Sequence, residues 1–125
     1  MSKDRYDRGL EKLRQIHGKP GELVIKDIEA FSPDLARYIL EFPFGDIYSR
    51  PGLDLKSREI GTVAALTALG NAEPQLRSHI QGALNVGCSR QEIIELILQM
   101  AVYAGFPVAL RAMNTAKTVF QELDR

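Results

Sequence analysis

The chain has 125 residues, 45% hydrophobic and 26% charged, and its 16 basic and 16 acidic side chains cancel; that balance fits a single globular domain and gives no electrostatic case for DNA, RNA or an anionic membrane as partner. A lone cysteine, Cys88, excludes an intrachain disulfide and a thiolate metal cluster within one chain. The charged opening MSKDRYDRGLEKLRQ has no secretory core, and the apolar stretch 93–110 is interrupted by Glu95, Gln99 and Gly105–Pro107, so no leader or membrane span is expected and the expected location is cytoplasmic.

In residues 3–17, Tyr6, Leu10, Leu13 and Ile16 recur every three to four positions among charges, which predicts a surface helix. GKPG (18–21) is expected to stop it, leaving His17 solvated at its end. SPDLARYILEF (32–42) opens with Ser32 as N-cap and Pro33 in the first turn, a helix start that Pro43 is expected to cut. From Gly45 an irregular segment runs through SRPGLD (49–54). Asp54 then caps a helix from Leu55 to about Leu69, closed by Gly70, and Pro74 starts the next, closed by Gly87. SRQE (89–92) has the form of a capping box, with Ser89 as N-cap and Glu92 three residues on. That helix runs to Ala104 and stops at GFP, and a last one covers about 107–123. With no strand pattern, repeat or linker, the expectation is one all-α domain over 1–125 built from roughly six helices.

Two of these helices carry too little charge for a small monomeric bundle. IGTVAALTALGNA (60–72) has none, and 93–110 has only Glu95. Helices apolar all round need burial on every side, and Gly61, Ala64, Ala65 and Ala68 would let neighbouring backbones come close. Self-association into a homo-oligomer is therefore expected.

Candidate chemistry centres on His79, which sits on a mainly apolar helix with Gly82 and Ala83 one turn on. It reads either as a core histidine with its hydrogen bond satisfied or as a proton-transfer group beside a gap left by missing side chains. Glu59 either complements a helix N-terminus or points along the buried face to meet His79 from the preceding helix. Arg50, at the start of the loop that Arg58 ends, is either an anion clamp or a solvated cation. Cys88 follows a helix C-terminus, a poor place for a thiolate, and has no second cysteine to work with. Two distant histidines without HxxxH or CxxC spacing predict no metal site.

The segments FGDIYSRPGLDLKSREIGTVAALTALG (44–70) and QLRSHIQGALNVGCSRQEIIELILQMAVYAGFPVALRA (75–112), with their spacing, resemble the carboxymuconolactone decarboxylase family of the AhpD-like superfamily. The resemblance implies an all-helical AhpD-like bundle that assembles as a trimer or hexamer. Peroxidase branches of that superfamily carry Cys-x-x-Cys-x-x-x-His; here those cysteine positions hold Ala72 and Gln75, which argues against redox activity. The decarboxylase branch has the histidine without the cysteines, and often a glutamate where this chain has Gln75. The resemblance implies a carboxy-lyase that converts 4-carboxymuconolactone to 3-oxoadipate enol-lactone without cofactor or metal, in the protocatechuate branch of aromatic catabolism. His79 would be the acid/base and oxyanion donor, with Glu59 orienting it or relaying protons. Arg50 or Arg58 would bind the second carboxylate of a small anionic lactone, with Tyr48, Tyr103 and Gln75 lining the site. The alternatives are a paralogue acting on another small carboxylate or lactone, and a non-enzymatic oligomer.

Overall fold

The computed structural model describes residues 2–125, with side chains from Asp4 onward. It is all-helical: six α-helices and one π-helical segment, with no strand among the described residues. The chain gathers into two compact units, Met1–Leu55 and Lys56–Arg125.

The first unit holds α1 (Ser2–Phe31), α2 (Pro33–Ile39) and a π-helical segment (Leu40–Ile47) that continues α2. GKPG does break the first helical run, since Gly18 takes the non-helical φ 62° and ψ −150°, but a second run, not anticipated, follows directly after this kink to Phe31. Pro20 falls in the first turn after the kink, where its missing N–H costs nothing. His17 is likewise not solvated: it is buried, edge-to-face on Phe44 with ring centroids 5.8 Å apart.

Ser32 caps α2 as expected, its hydroxyl accepting from Leu35 N–H, but Pro43 does not cut the helix. The winding widens instead, and Tyr48 N–H donates to Pro43 O at 2.8 Å. Contacts from α1 hold this uncommon geometry in place. Arg8 Nε donates to Gly45 O at 2.9 Å, and Arg5 Nη2 donates to Asp46 Oδ2 at 2.6 Å. Backbones also touch. A Cβ built on Gly9 would lie 1.8 Å from Leu40 O, and one on Gly45 would lie 2.5 Å from Arg5 O.

The second unit holds α3 (Leu55–Leu69), α4 (Glu73–Asn85), α5 (Arg90–Ala104) and α6 (Phe106–Leu123). Ser89 and Glu92 form the expected capping box, with Glu92 N–H donating to Ser89 Oγ at 3.0 Å and Ser89 N–H to Glu92 Oε1 at 2.9 Å. Gly105, at φ 98°, makes the corner between α5 and α6, and Pro107 falls in the first turn of α6. The core joins Val63 of α3, Leu76, Ile80 and Ala83 of α4, Ile93 and Ile97 of α5, and Ala112 and Val119 of α6.

The charge-poor helices are not enclosed on every side within one chain. Along α3 only Glu59, Val63 and Thr67 are buried. At the α5–α6 corner Val102, Tyr103 and Phe106 are 76%, 80% and 70% exposed. Among the described residues no helix is long and apolar enough to cross a membrane.

Candidate active site

Glu59, Val63 and Thr67 recur one turn apart, so α3 turns all three to the same buried face. On α4 the buried positions Leu76, Ile80 and Ala83 fix that helix against the core, and His79 lies beside them at its edge. The two helices bring His79 Nδ1 to 2.8 Å from Glu59 Oε1. The glutamate side chain is 0% exposed and the imidazole 19%. A carboxylate taken wholly out of water costs several kcal/mol unless it is paired and hydrogen-bonded, and His79 supplies that pairing. An Nδ1–H donated to the carboxylate sets the ring's tautomer and its orientation. The second carboxylate oxygen, Oε2, has no hydrogen-bond partner among the described residues. The arrangement is thus a rigidly held imidazole, partly open to its surroundings, backed by a dry carboxylate.

Among the sequence-predicted residues, the structure brings together Glu59 and His79. Arg58 precedes Glu59 at the less buried side of α3, its carbonyl accepting from Thr62 Oγ1 at 2.9 Å. Gln75 is exposed one turn before His79 on α4. Tyr103 lies exposed in the last turn of α5, next to Val102. Tyr48 and Arg50 belong to the first unit: Tyr48 is half-buried and stacks on Phe44 with centroids 5.4 Å apart, and Arg50 is exposed just after the π-helical segment. Gly82 and Ala83 are both buried, and Ala83 packs into the apolar core. Cys88 is buried, with Sγ 3.8 Å from Lys56 O, to which its thiol donates. Among the described residues no three histidine, cysteine, aspartate or glutamate side chains group closely enough to hold a metal ion. Sequence reasoning passed over Thr67, whose signal was its spacing of two further turns from Glu59 on an otherwise apolar helix.

Comparison with known proteins places the chain in a family. A 4-carboxymuconolactone decarboxylase of Acinetobacter baylyi is 38% identical over 120 residues, covering 95% of this chain and 89% of the relative. An uncharacterized 15.0 kDa protein of Paracoccus denitrificans is 35% identical over 93% of this chain and 87% of its own length. A nitrosuccinic acid decarboxylase of Metarhizium robertsii is 31% identical over 96% of this chain and 85% of its own length. The model of the carboxymuconolactone decarboxylase family matches residues 33–118, a span that includes both Glu59 and His79, and the chain belongs to that family.

Proposed function

We propose that the protein is a cofactor-independent carboxy-lyase that converts 4-carboxymuconolactone to 3-oxoadipate enol-lactone, with His79 as its acid/base. The observation that carries the reading is the 2.8 Å contact between His79 Nδ1 and the fully buried Glu59. Two decarboxylases among the similar proteins support the reaction class.

The substrate carries its own electron sink. Its leaving carboxylate is attached to a ring carbon conjugated through C=C to the lactone carbonyl. When that C–CO2 bond breaks, its electron pair moves through the ring to the carbonyl oxygen and forms a dienolate, and CO2 departs. The imidazolium Nε2–H then protonates the ring carbon next to the carbonyl, which restores the lactone and leaves neutral His79 to recover a proton from water. Glu59 fixes the ring's tautomer and orientation during this cycle. A partly dry setting strengthens the interaction between Nε2–H and the developing oxyanion. Arg58, Gln75 and Tyr103 are the candidates within the second unit for holding the second carboxylate; an arginine serves this best, through paired hydrogen bonds.

The exposed apolar side chains at the α5–α6 corner support a homo-oligomer, a trimer or hexamer, as the working form. A lone, buried cysteine agrees with a cytoplasmic location.

A second reading is a related lyase acting on another small carboxylate. It is favoured by the nitrosuccinic acid decarboxylase among the similar proteins and by Gln75 one turn before His79. Loss of CO2 from the carbon bearing a nitro group sends the pair to the nitro oxygens, so the same imidazole would serve. CO2 release from 4-carboxymuconolactone and from nitrosuccinate, measured side by side, separates the two. A lead of at least tenfold in kcat/KM for the lactone supports the first reading, and the reverse order replaces it with the second.

A further inference from the structure

Thr67 is the polar residue on the buried face of α3 that the proposed reaction does not use. It is 1% exposed, and its hydroxyl has no hydrogen-bond partner among the described residues. That is unusual for a helical threonine in this protein. Thr62, Thr115 and Thr118 each turn Oγ1 back to the carbonyl one turn earlier, at 2.9, 3.2 and 3.1 Å. A threonine in a helix has two accessible rotamers, one of which satisfies the hydroxyl in this way. At Thr67 the hydroxyl forgoes that bond.

The residue lines a small cavity where the end of α3 and the start of α4 meet α6. Gly70 and Ala72 from the turn, Val108, Arg111 and Thr115 from α6 complete much of its wall. About 10 Å³ is open to the centre of a water molecule, close to the smallest space that holds one water and far too small for a metabolite. Its wall is mainly apolar, and Thr67, Thr115 and Arg111 are among its polar residues. Thr115 Oγ1 has committed its proton to Arg111 O, so what it can still offer is an acceptor. Arg111 Nη1 donates to Gly70 O at 2.5 Å, which places the guanidinium over the turn. The last carbonyls of α3 have no partner within their own helix.

We infer that this cavity is a binding site for a single structural water, which accepts from Thr67 Oγ1, donates to Thr115 Oγ1, and thereby clamps the α3–α4 corner to α6. The corner leads from the helix that carries Glu59 to the helix that carries His79, so the clamp fixes how those two helices approach. Leaving the hydroxyl unpaired would cost the desolvation of a buried donor. A water with two to four partners removes that cost, and such waters belong to the native structure. The inference does not depend on the decarboxylase reading.

The opposite signs expected of one substitution make it testable. Thr67→Val is close to isosteric. If the hydroxyl is truly unpaired, valine relieves a buried polar group and the protein melts at the same temperature or higher. If the hydroxyl holds a water, valine strands that water and Tm falls by several degrees, while Thr67→Ser keeps the hydroxyl and recovers most of the loss. A high-resolution crystal structure of the unaltered protein supplies the direct readout. Ordered density within hydrogen-bond distance of both Thr67 Oγ1 and Thr115 Oγ1, together with a lower Tm for Thr67→Val, is the expected result. No such density, or a Thr67→Val protein as stable as the original, overturns the inference.

Discussion

Glu59 on α3 and His79 on α4 are joined Oε1 to Nδ1 at 2.8 Å, with the carboxylate wholly buried and the imidazole at the boundary of the core. The pair is asymmetric, and that decides what each partner does. Only the histidine reaches the edge of the core, so in the proposed reaction it is the partner that exchanges protons, with the glutamate acting through it. Because neither belongs in an apolar interior without the other, the two are also coupled in stability.

That coupling is open to a double-mutant cycle. Removing the imidazole leaves a buried carboxylate without its partner, so His79→Ala should destabilise the protein by about 3–5 kcal/mol. Glu59→Gln in the His79→Ala background should recover part of that loss, since an uncharged amide is cheaper to bury. Urea denaturation of the four proteins checks this, and additive effects would show that the two side chains do not interact.

The contact between α1 and the π-helical segment depends on the missing side chain at Gly9. A Cβ there would sit 1.8 Å from Leu40 O, so Gly9→Ala must push the segments apart, at a cost of more than about 2 kcal/mol. Gly61, inside α3, meets nothing within 4 Å, so Gly61→Ala should raise stability by about 0.5–1 kcal/mol through helix propensity alone. Opposite shifts in thermal denaturation are expected for the two alanine variants.

Acid should weaken the folded state through particular carboxylates. Hydrogen bonds from Arg5 hold Asp46 below its ordinary value of 3.8, and hydrogen bonds from Arg90 do the same for Asp124. The Ser89 backbone N–H, with Lys56, lowers Glu92 from its ordinary 4.5. A carboxyl depressed in the folded state contributes stability that is fully present above its unfolded value and is lost as pH falls through its folded value. Stability is therefore expected to decline below the ordinary values of these groups. The variant Asp46→Asn with Asp124→Asn should show a shallower decline over that range, read from denaturation midpoints at successive pH. These pairs lie in solvent, so added salt should also reduce the difference.

Self-association should depend on the apolar corner between α5 and α6. Val102→Glu combined with Phe106→Glu places two charges where both side chains are exposed. Sedimentation is expected to show an assembly for the unaltered chain and mainly single chains for the variant. Identical sedimentation of the two would remove this corner from the interface.

The second unit was legible in the sequence because its signals are local and agree with one another. Pro74 opens α4, Ser89 and Glu92 box the start of α5, and Gly105 and Pro107 mark the corner into α6. The first unit was less legible because distant contacts overrule local breakers there. Gly18 does break the first helical run, but nothing local announced the second run that follows it to Phe31. Pro43 reads as an end, yet Arg8, reaching across from α1 to Gly45 O, supports continued winding. Nothing in the spacing of residues 40–47 announces a partner that far away in sequence. His17 was misread for the same reason, since Phe44 covers it. At the site, a carboxylate and an imidazole on successive helices could be anticipated. The burial of Thr67 was readable from its spacing to Glu59, but its unpaired hydroxyl was not, because a threonine normally bonds to its own helix.

The most direct measurement is CO2 release from 4-carboxymuconolactone by the purified protein and by His79→Ala, with Glu59→Gln alongside and the fold of each variant verified by circular dichroism. Turnover by the unaltered protein is expected, with a loss of about 10²–10⁴-fold in kcat for His79→Ala and a smaller loss for Glu59→Gln. A folded His79→Ala protein that releases CO2 at the unaltered rate would contradict the assignment of the chemistry to this imidazole.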